Sequence, residues 1–275
     1  MMKSDILGMV EETRIQGKTH HIISSTYIAL IPKRKDSLTF ADFKPISLCN
    51  AIYKIISKII AERIRGNLST HISKEQHGFL SGRNILEAVA IAQEALHSVQ
   101  TKNIGAAILK IDLKKAYDSL DWSYLRCLLI KIGLNDMCAK WIMACVEGIN
   151  FAILINGYPT SFFSAERGLR QGCSLSPLLF ILVMDTISLH LKRVVASGNI
   201  NPLSISRGNS FTHNLFVDDV LLFAMLCRQS WHIMHAILKS FQRATGLYIN
   251  EGKSSFHFGK VNMDKMDYIS QLYNI

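Results

Sequence analysis

Apolar positions along this 275-residue chain follow a period of two in some stretches and a helical spacing in others, and their order predicts an α+β fold. Ala106-Ala-Ile-Leu-Lys-Ile reads as a strand that ends at Asp112, and Phe211 to Val217 and Val220 to Ala224 read as two more, separated by Asp218 and Asp219. Ile52, Ile55, Ile56, Ile59, Ile60 and Ile64 recur at helical spacing, with Lys54, Lys58, Glu62 and Arg65 on other faces. A second helix is predicted from Asn84 to Gln100, after Ser81-Gly82-Arg83. A third starts from an Asp121 cap and runs through Leu125, Leu128, Leu129 and Ile132 to Gly133. Asn156-Gly157 between Phe151–Ile155 and Tyr158–Phe163 is a hairpin signal. Ser176-Pro177 opens a helix through Leu191, and Ser230 to Ala244 reads as a helix stopped near Gly246.

The two adjacent aspartates change this picture from a fold to a chemistry. Like charges at a tight turn between apolar strands cost free energy unless a cation neutralises them, and a buried divalent metal is the natural partner. Asp112 ends another strand, so two strands can bring three carboxylates to one metal pair, the equipment of two-metal phosphoryl or nucleotidyl transfer. Taken alone, Asp-Asp reads equally well as a plain hairpin turn, because Asp favours turns.

Composition narrows the setting. With Lys+Arg 31 against Asp+Glu 21, the net charge of +10 suits a polyanionic partner and also suits many basic proteins with none. The six cysteines form no C-x-x-C pair and no Cys/His metal spacing, so they read as buried thiols of a reducing compartment, nucleus or cytoplasm. No signal pattern opens the chain, and charged or polar residues interrupt every apolar stretch before bilayer-spanning length, so no membrane partner is expected.

Five sequence blocks occur in order. They are Ile31-Pro-Lys33 with Asp42-Phe-Lys-Pro-Ile-Ser-Leu48, then Lys110-Ile-Asp-Leu-Lys-Lys-Ala-Tyr-Asp118, then Gly168-Leu-Arg-Gln-Gly-Cys-Ser-Leu-Ser-Pro-Leu-Leu-Phe180, Phe216-Val-Asp-Asp219, and Gly246-Leu-Tyr-Ile-Asn-Glu-Gly-Lys-Ser254. From about Ile28 to Ser255 the chain resembles the reverse transcriptase domain of LINE-type non-LTR retrotransposons, most of all plant elements. The resemblance implies a polymerase palm, an antiparallel sheet with packed helices, over residues 106–275, preceded by a helix-rich fingers region over 1–105. It implies RNA-directed DNA synthesis, with an RNA template, a DNA primer and dNTP as partners and two magnesium ions, or manganese, as cofactors.

Site residues follow from the same match. Asp112, Asp218 and Asp219 become the metal ligands and catalytic carboxylates, and Lys253 a proton donor to pyrophosphate. Tyr117, which also reads as an ordinary core tyrosine, becomes the aromatic gate that excludes a ribose 2′-hydroxyl. Gln171 lies by the nascent base pair and the nucleotide, Arg170 at a backbone or nucleotide contact, and Arg83 in a template-contacting element. Lys33 and Lys44 grip the triphosphate; each alone reads as a solvated surface charge, and Lys44 stands where these elements normally carry arginine, losing the bidentate fork. Asp118 matches the family block but is assigned a structural hydrogen bond, outside the metal set.

Other departures concern Cys173-Ser174, where the family commonly has Asp-Pro or a similar pair, and Val217, where it usually has alanine and where two extra methyls are expected to crowd the primer terminus or the strand packing. The chain stops after the Lys253 block, which predicts a truncated domain without a complete thumb. A catalytically weak remnant that binds nucleic acid or serves as an interaction module is therefore the competing reading. A viral RNA-dependent RNA polymerase is the nearest enzymatic rival, and Tyr117 argues against it, since such enzymes carry a polar residue there.

Overall fold

A computed structural model describes the chain except residues 1, 103, 207, 208, 261 and 262. In chain order its elements are α1 (Met2–Gln16), α2 (His21–Ser24), β1 (Thr26–Pro32), β2 (Phe43–Leu48), α3 (Ala51–His71), α4 (Ile85–Thr101), β3 (Ala106–Ile111), α5 (Ala116–Ser119), α6 (Trp122–Lys131) and α7 (Asp136–Ala144). There follow β4 (Asn150–Ile155), β5 (Tyr158–Pro159), β6 (Phe163–Ser164), α8 (Ser176–Ala196), β7 (Leu203–Ser206), β8 (Asn209–Phe211), β9 (His213–Phe216), β10 (Asp219–Met225), α9 (Arg228–Thr245), β11 (Ser255–Phe258) and α10 (Met263–Tyr273). They form two compact units, each built from two stretches: Met1–Arg65 with Tyr117–Leu179, and Gly66–Ala116 with Phe180–Ile275.

Local signals set most element ends. Asp121 accepts from the Tyr124 amide at 2.8 Å and caps its helix as the sequence predicts, whereas Asn84, expected inside the helix, is its N-cap and accepts from the Leu86 amide at 3.0 Å. Gly246, at φ 75°, ends α9 in the left-handed conformation that a residue with a Cβ resists. Asn156 and Gly157 both take positive φ and join Ile155 to Tyr158, the signature of a type I′ hairpin.

In the first unit β1 is the hub, antiparallel to β2 and parallel to β4, with β5 and β6 both folded back on β4. The buried stripe of α3 here is Tyr53, Ile56, Ser57, Ile60 and Ala61, whereas Ile55 is exposed. An isoleucine count misplaces that face because Tyr53 and the small Ser57 and Ala61 complete it.

The second unit is built on an antiparallel sheet of order β11-β3-β10-β9. Strand β3 is covered on both faces: Ala106, Ala107, Ile108, Leu109 and Ile111 are all buried, which explains a near-continuous apolar run with little alternation. On one side Ala95 and Val99 of α4 pack with Ala106, Ile108, Phe223 and Leu203. Elsewhere in the unit Trp231, Phe256 and Tyr273 meet edge to face at 5.3–6.0 Å between centroids, and the Tyr273 hydroxyl donates to the Trp231 carbonyl at 3.0 Å. This cluster ties α9, β11 and α10 together and so fixes the strand next to β3.

Two expectations need correction. Cys49, Cys145 and Cys173 are buried thiols, but Cys127 and Cys138 are exposed and Cys227 is half-buried, because the last three occupy helix surfaces or a helix cap. Phe211 belongs to the short β8, and the strand before the aspartates begins only at His213. Among the described residues no helix is long and apolar enough to cross a membrane.

Candidate functional site

Strand register brings the acidic residues to one end of the second unit's sheet. The last pair of the β10–β3 ladder is Val220 with Ile111, so the same register carried one residue further sets Asp219 level with Asp112. Asp219 in turn pairs with Phe216, which leaves Val217 and Asp218 as a two-residue turn. Asp112 is half-buried, while Asp218 and Asp219 are exposed. Solvent therefore screens the adjacent pair, and the cost expected of an interior like-charge pair does not arise.

The turn itself is strained. Val217 has φ +59°, a conformation that suits glycine at the first central position of such turns and is an outlier for a β-branched side chain, yet it is 6% exposed. Gln76, fully buried, holds it: one side-chain oxygen, Oε1, accepts from the amides of both Val217 and Gly78 at 3.0 Å. The segment 75–78 runs beside β9, with Leu215 N donating to Glu75 O at 2.8 Å and His77 N to Leu215 O at 2.9 Å. Gly78 leaves room for the Val217 side chain, since an added Cβ there would lie 2.6 Å from Val217 Cγ2.

A second brace holds Asp112. Asn250 Nδ2 donates to Asp112 Oδ2 at 3.1 Å, the Asn250 amide donates to the Asp112 carbonyl at 2.8 Å, and the Asp112 amide donates to Ser254 Oγ at 3.1 Å. Ser254 Oγ closes the ring by donating to the Asn250 carbonyl at 2.8 Å. The Asn-x-x-x-Ser spacing, just before the edge strand β11, is the sequence signal for this pair. Lys253 itself is exposed on the short turn Glu251–Lys253 between the two brace residues.

Lys33, Lys44, Tyr117 and Gln171 belong to the first unit. Lys44 is exposed on β2 opposite Ile31, and Lys33 is exposed just after β1, its amide donating to the Asp42 carbonyl at 2.8 Å. The loop between the lysines is closed by Asp42. Its carboxylate accepts from the Thr39 amide at 3.0 Å, the Thr39 hydroxyl at 2.9 Å and Arg34 at 2.5 Å, and these bonds, Thr39's first, lower its pKa to about 2. Tyr117 is half-buried in α5, with its carbonyl accepting from Leu169 N at 2.6 Å, and Gln171 is half-buried with its amide on Asp118.

The family described as Reverse transcriptase (RNA-dependent DNA polymerase) matches residues 31–271, which spans every one of these positions. The chain belongs to the reverse transcriptase family. Similar proteins include the retrovirus-related Pol polyprotein from type-2 retrotransposable element R2DM of Drosophila melanogaster, 28% identical over 238 residues, or 86% of this chain and 22% of that protein. The transposon TX1 uncharacterized 149 kDa protein of Xenopus laevis is 28% identical over 58% of this chain and 12% of its own length. This chain thus spans less than a quarter of either relative. Among solved structures, telomerase of Candida albicans superposes with a TM-score of 0.60 at 16% identity, over 88% of this chain and 43% of that one. An apo telomerase of Candida tropicalis gives 0.58 at 13% identity, over 89% and 52%. These likenesses show the fold, a polymerase palm.

Reverse transcriptases use divalent metal ions, and the donor set here suits one. Asp112, Asp218 and Asp219 offer carboxylate oxygens alone, the hard ligands that magnesium-class cations take. Their grouping comes from strand register and not from a ready-made nest: among the described residues, no three His, Cys, Asp or Glu side chains stand together closely enough to hold an ion.

Both arginines of the predicted nucleic-acid surface are engaged inside the fold. The Arg83 guanidinium donates to four carbonyls at or just beyond the C-terminal end of α3, Ser69 at 3.3, Ile72 at 2.7, and Ser73 and Gln76 each at 2.5 Å. It caps a helix end whose carbonyls lack intrahelical partners, and so tethers the Gln76 brace. Arg170 is 2% exposed, stacked 3.8 Å above the Tyr53 ring and donating to Thr26 Oγ1 at 3.3 Å, with Nε and Nη2 left without a partner. Cys173, one of the departures from the family pattern, lies in the same interior with its Sγ 3.4 Å from the Tyr53 hydroxyl. A carboxylate at this position would supply the counter-charge that Arg170 lacks. Burial pushes the Tyr53 hydroxyl well up and the nearby Cys145 thiol up to about 12.

Proposed function

We propose that this chain is the nucleotidyl-transfer part of a non-LTR retrotransposon reverse transcriptase of LINE type, an RNA-directed DNA polymerase that extends a DNA primer on an RNA template with dNTPs. What supports this reading is the register of two strand ends: the β3–β10 ladder ends at Ile111 with Val220, one residue short of Asp112 and Asp219, with Asp218 in the turn and each side braced by its own amide side chain. In this reading the β1–β2 hairpin belongs to the fingers, and the protein works in the nucleus or cytoplasm.

Asp112, Asp218 and Asp219 would hold the divalent ions, magnesium by preference. When bound, such ions lower the pKa of the primer 3′-hydroxyl and neutralise the departing pyrophosphate. The protein's own part is positioning. Asn250 restrains the Asp112 carboxylate, and Gln76 holds the turn that presents Asp218. Lys33 and Lys44 attract the triphosphate as point charges, and Lys253 offers a proton to the leaving group. Tyr117 bears on the sugar, which selects deoxynucleotides by steric exclusion. The net charge of +10 favours a nucleic-acid partner in a salt-dependent way.

Primer extension on RNA and DNA templates, with magnesium or manganese, tests the proposal. Incorporation of dNTPs by the wild type that disappears in Asp218→Ala supports it. A folded wild type that binds primer–template and incorporates nothing under any of these conditions identifies a binding remnant instead.

A further inference from the structure

The amide of Gln171 has its polarity set by one neighbour. Nε2 donates to Asp118 Oδ1 at 3.1 Å, and an ionised carboxylate can only accept, so the NH2 end faces Asp118 and the carbonyl Oε1 is turned away from it. The backbone around the pair is laced together. Gln171 O accepts from Ser47 N at 3.0 Å, Leu169 N donates to Tyr117 O at 2.6 Å, Gly168 N donates to Leu120 O at 2.8 Å, and Trp122 Nε1 donates to Gly168 O at 2.8 Å. Gly168 makes this approach possible: it sits at φ +89°, and a Cβ there would lie 2.8 Å from the Asp118 carbonyl. Asp118 and Gln171 line one cavity of about 390 Å³, with Pro45, Ser47 and Phe151 on its walls.

We infer that Asp118 is a positioning residue for nucleotide binding, acting through Gln171. It holds the amide so that an incoming nucleotide meets the Oε1 acceptor, where an unheld amide would present NH2 as often as C=O. Its place in the chain suits the task, because Asp118 directly follows Tyr117, whose carbonyl is tied to the same loop through Leu169. The inference rests on the polymerase reading above and adds to it a residue outside the carboxylate set and the gate.

The test is single-nucleotide incorporation by wild type, Asp118→Ala, Asp118→Asn, Gln171→Ala and the Asp118→Ala/Gln171→Ala double variant, each confirmed folded by its thermal midpoint. Loss of one charge-assisted hydrogen bond that orients a ligand group raises KM for dNTP by about five- to tenfold in Asp118→Ala and Asp118→Asn, with kcat changed by less than about twofold. In the Gln171→Ala background, Asp118→Ala adds less than about 1.5-fold, because the group it positions is gone. Multiplicative effects in the double variant overturn the inference, and so does a fall in kcat at constant KM. If the wild type incorporates nothing, the polymerase reading fails by itself. Calorimetric titration of dATP into the protein with primer–template and calcium then decides: the same non-additive loss of affinity supports Asp118 as a positioning residue, and no dATP binding by the wild type overturns it.

Discussion

The contact between Gly78 and Val217 makes a quantitative prediction about the aspartate turn. Gly78 does not occupy the left-handed region, so Gly78→Ala carries no backbone penalty of its own, and its effect comes from the new methyl. That methyl would sit 2.6 Å from Val217 Cγ2, 3.2 Å from Val217 N and 3.3 Å from Gln76 Oε1, and real Cβ atoms essentially never approach within 3.0 Å. Overpacking of this kind costs about 1–3 kcal/mol, and the upper half applies here because Val217, at φ +59° and buried, cannot rotate away cheaply. Val217→Ala removes the offending Cγ2. Alone it costs about 1–2 kcal/mol of apolar burial, partly offset by relief of a β-branched residue from positive φ. In the Val217→Ala background, Gly78→Ala is expected to cost less than about 1 kcal/mol, giving a favourable coupling of about 1–2 kcal/mol. Urea unfolding of the four proteins at pH 7 measures the cycle, and primer extension on the same set shows whether turn geometry follows stability. Additivity within about 0.5 kcal/mol would mean that the two side chains do not share the space assigned to them.

Three further outcomes are expected. Burial lowers the pKa of His213 from 6.5 to about 4, with Glu75 opposing and Lys192 assisting, and its ring nitrogens meet Ser188 Oγ and Thr212 Oγ1 at 2.9 Å. The unfolded chain therefore binds a proton that the folded one refuses, so stability held above pH 6.5 declines towards pH 4 by up to about 3 kcal/mol; His213→Gln should flatten that slope in urea midpoints taken across the window, and an unaltered slope refutes the assignment. Asn250→Ala frees the Asp112 carboxylate and should lower kcat by about ten- to a hundredfold with a thermal midpoint within a few degrees of wild type, whereas an unchanged kcat removes Asn250 from the site. Cys173→Asp should be better tolerated beside Arg170 than in an Arg170→Met background, by about 1.5 kcal/mol or more of coupling in denaturant titrations, and zero coupling would show that the two positions do not face each other.

Features that a few neighbouring residues decide were legible in the sequence. The Asp121 cap, the Asn156-Gly157 turn and the Gly246 stop act over four or five residues, and the structure has each in place. Strand β3 was legible for the opposite reason, since burial on both faces writes a continuous apolar run. Charge was the poorest guide. Arg83 and Arg170 have the residue type of a nucleic-acid surface, yet one is spent on helix-end carbonyls and the other on the Tyr53 ring and on Thr26, 144 residues away along the chain. No local pattern distinguishes an arginine that faces solvent from one that satisfies backbone acceptors in the interior.

The same separation explains why the carboxylates are conspicuous in the sequence and the residues that hold them are not. Asp112, Asp218 and Asp219 stand out because a strand end and a tight turn are unusual places to concentrate negative charge. A turn with a β-branched residue at positive φ is unfavourable on local grounds, so something distant must over-determine it. Gln76 does so from 141 residues away by accepting from the Val217 amide, and Asn250 supports Asp112 from 138 by donating to its carboxylate, and neither side chain adds charge. A cationic brace would also have held these segments, but it would have neutralised the carboxylates and weakened their claim on a divalent ion. Amide side chains are the polar groups that can hold such a turn and leave its charge available, which is why the residues that matter most for geometry are among the least conspicuous in the sequence.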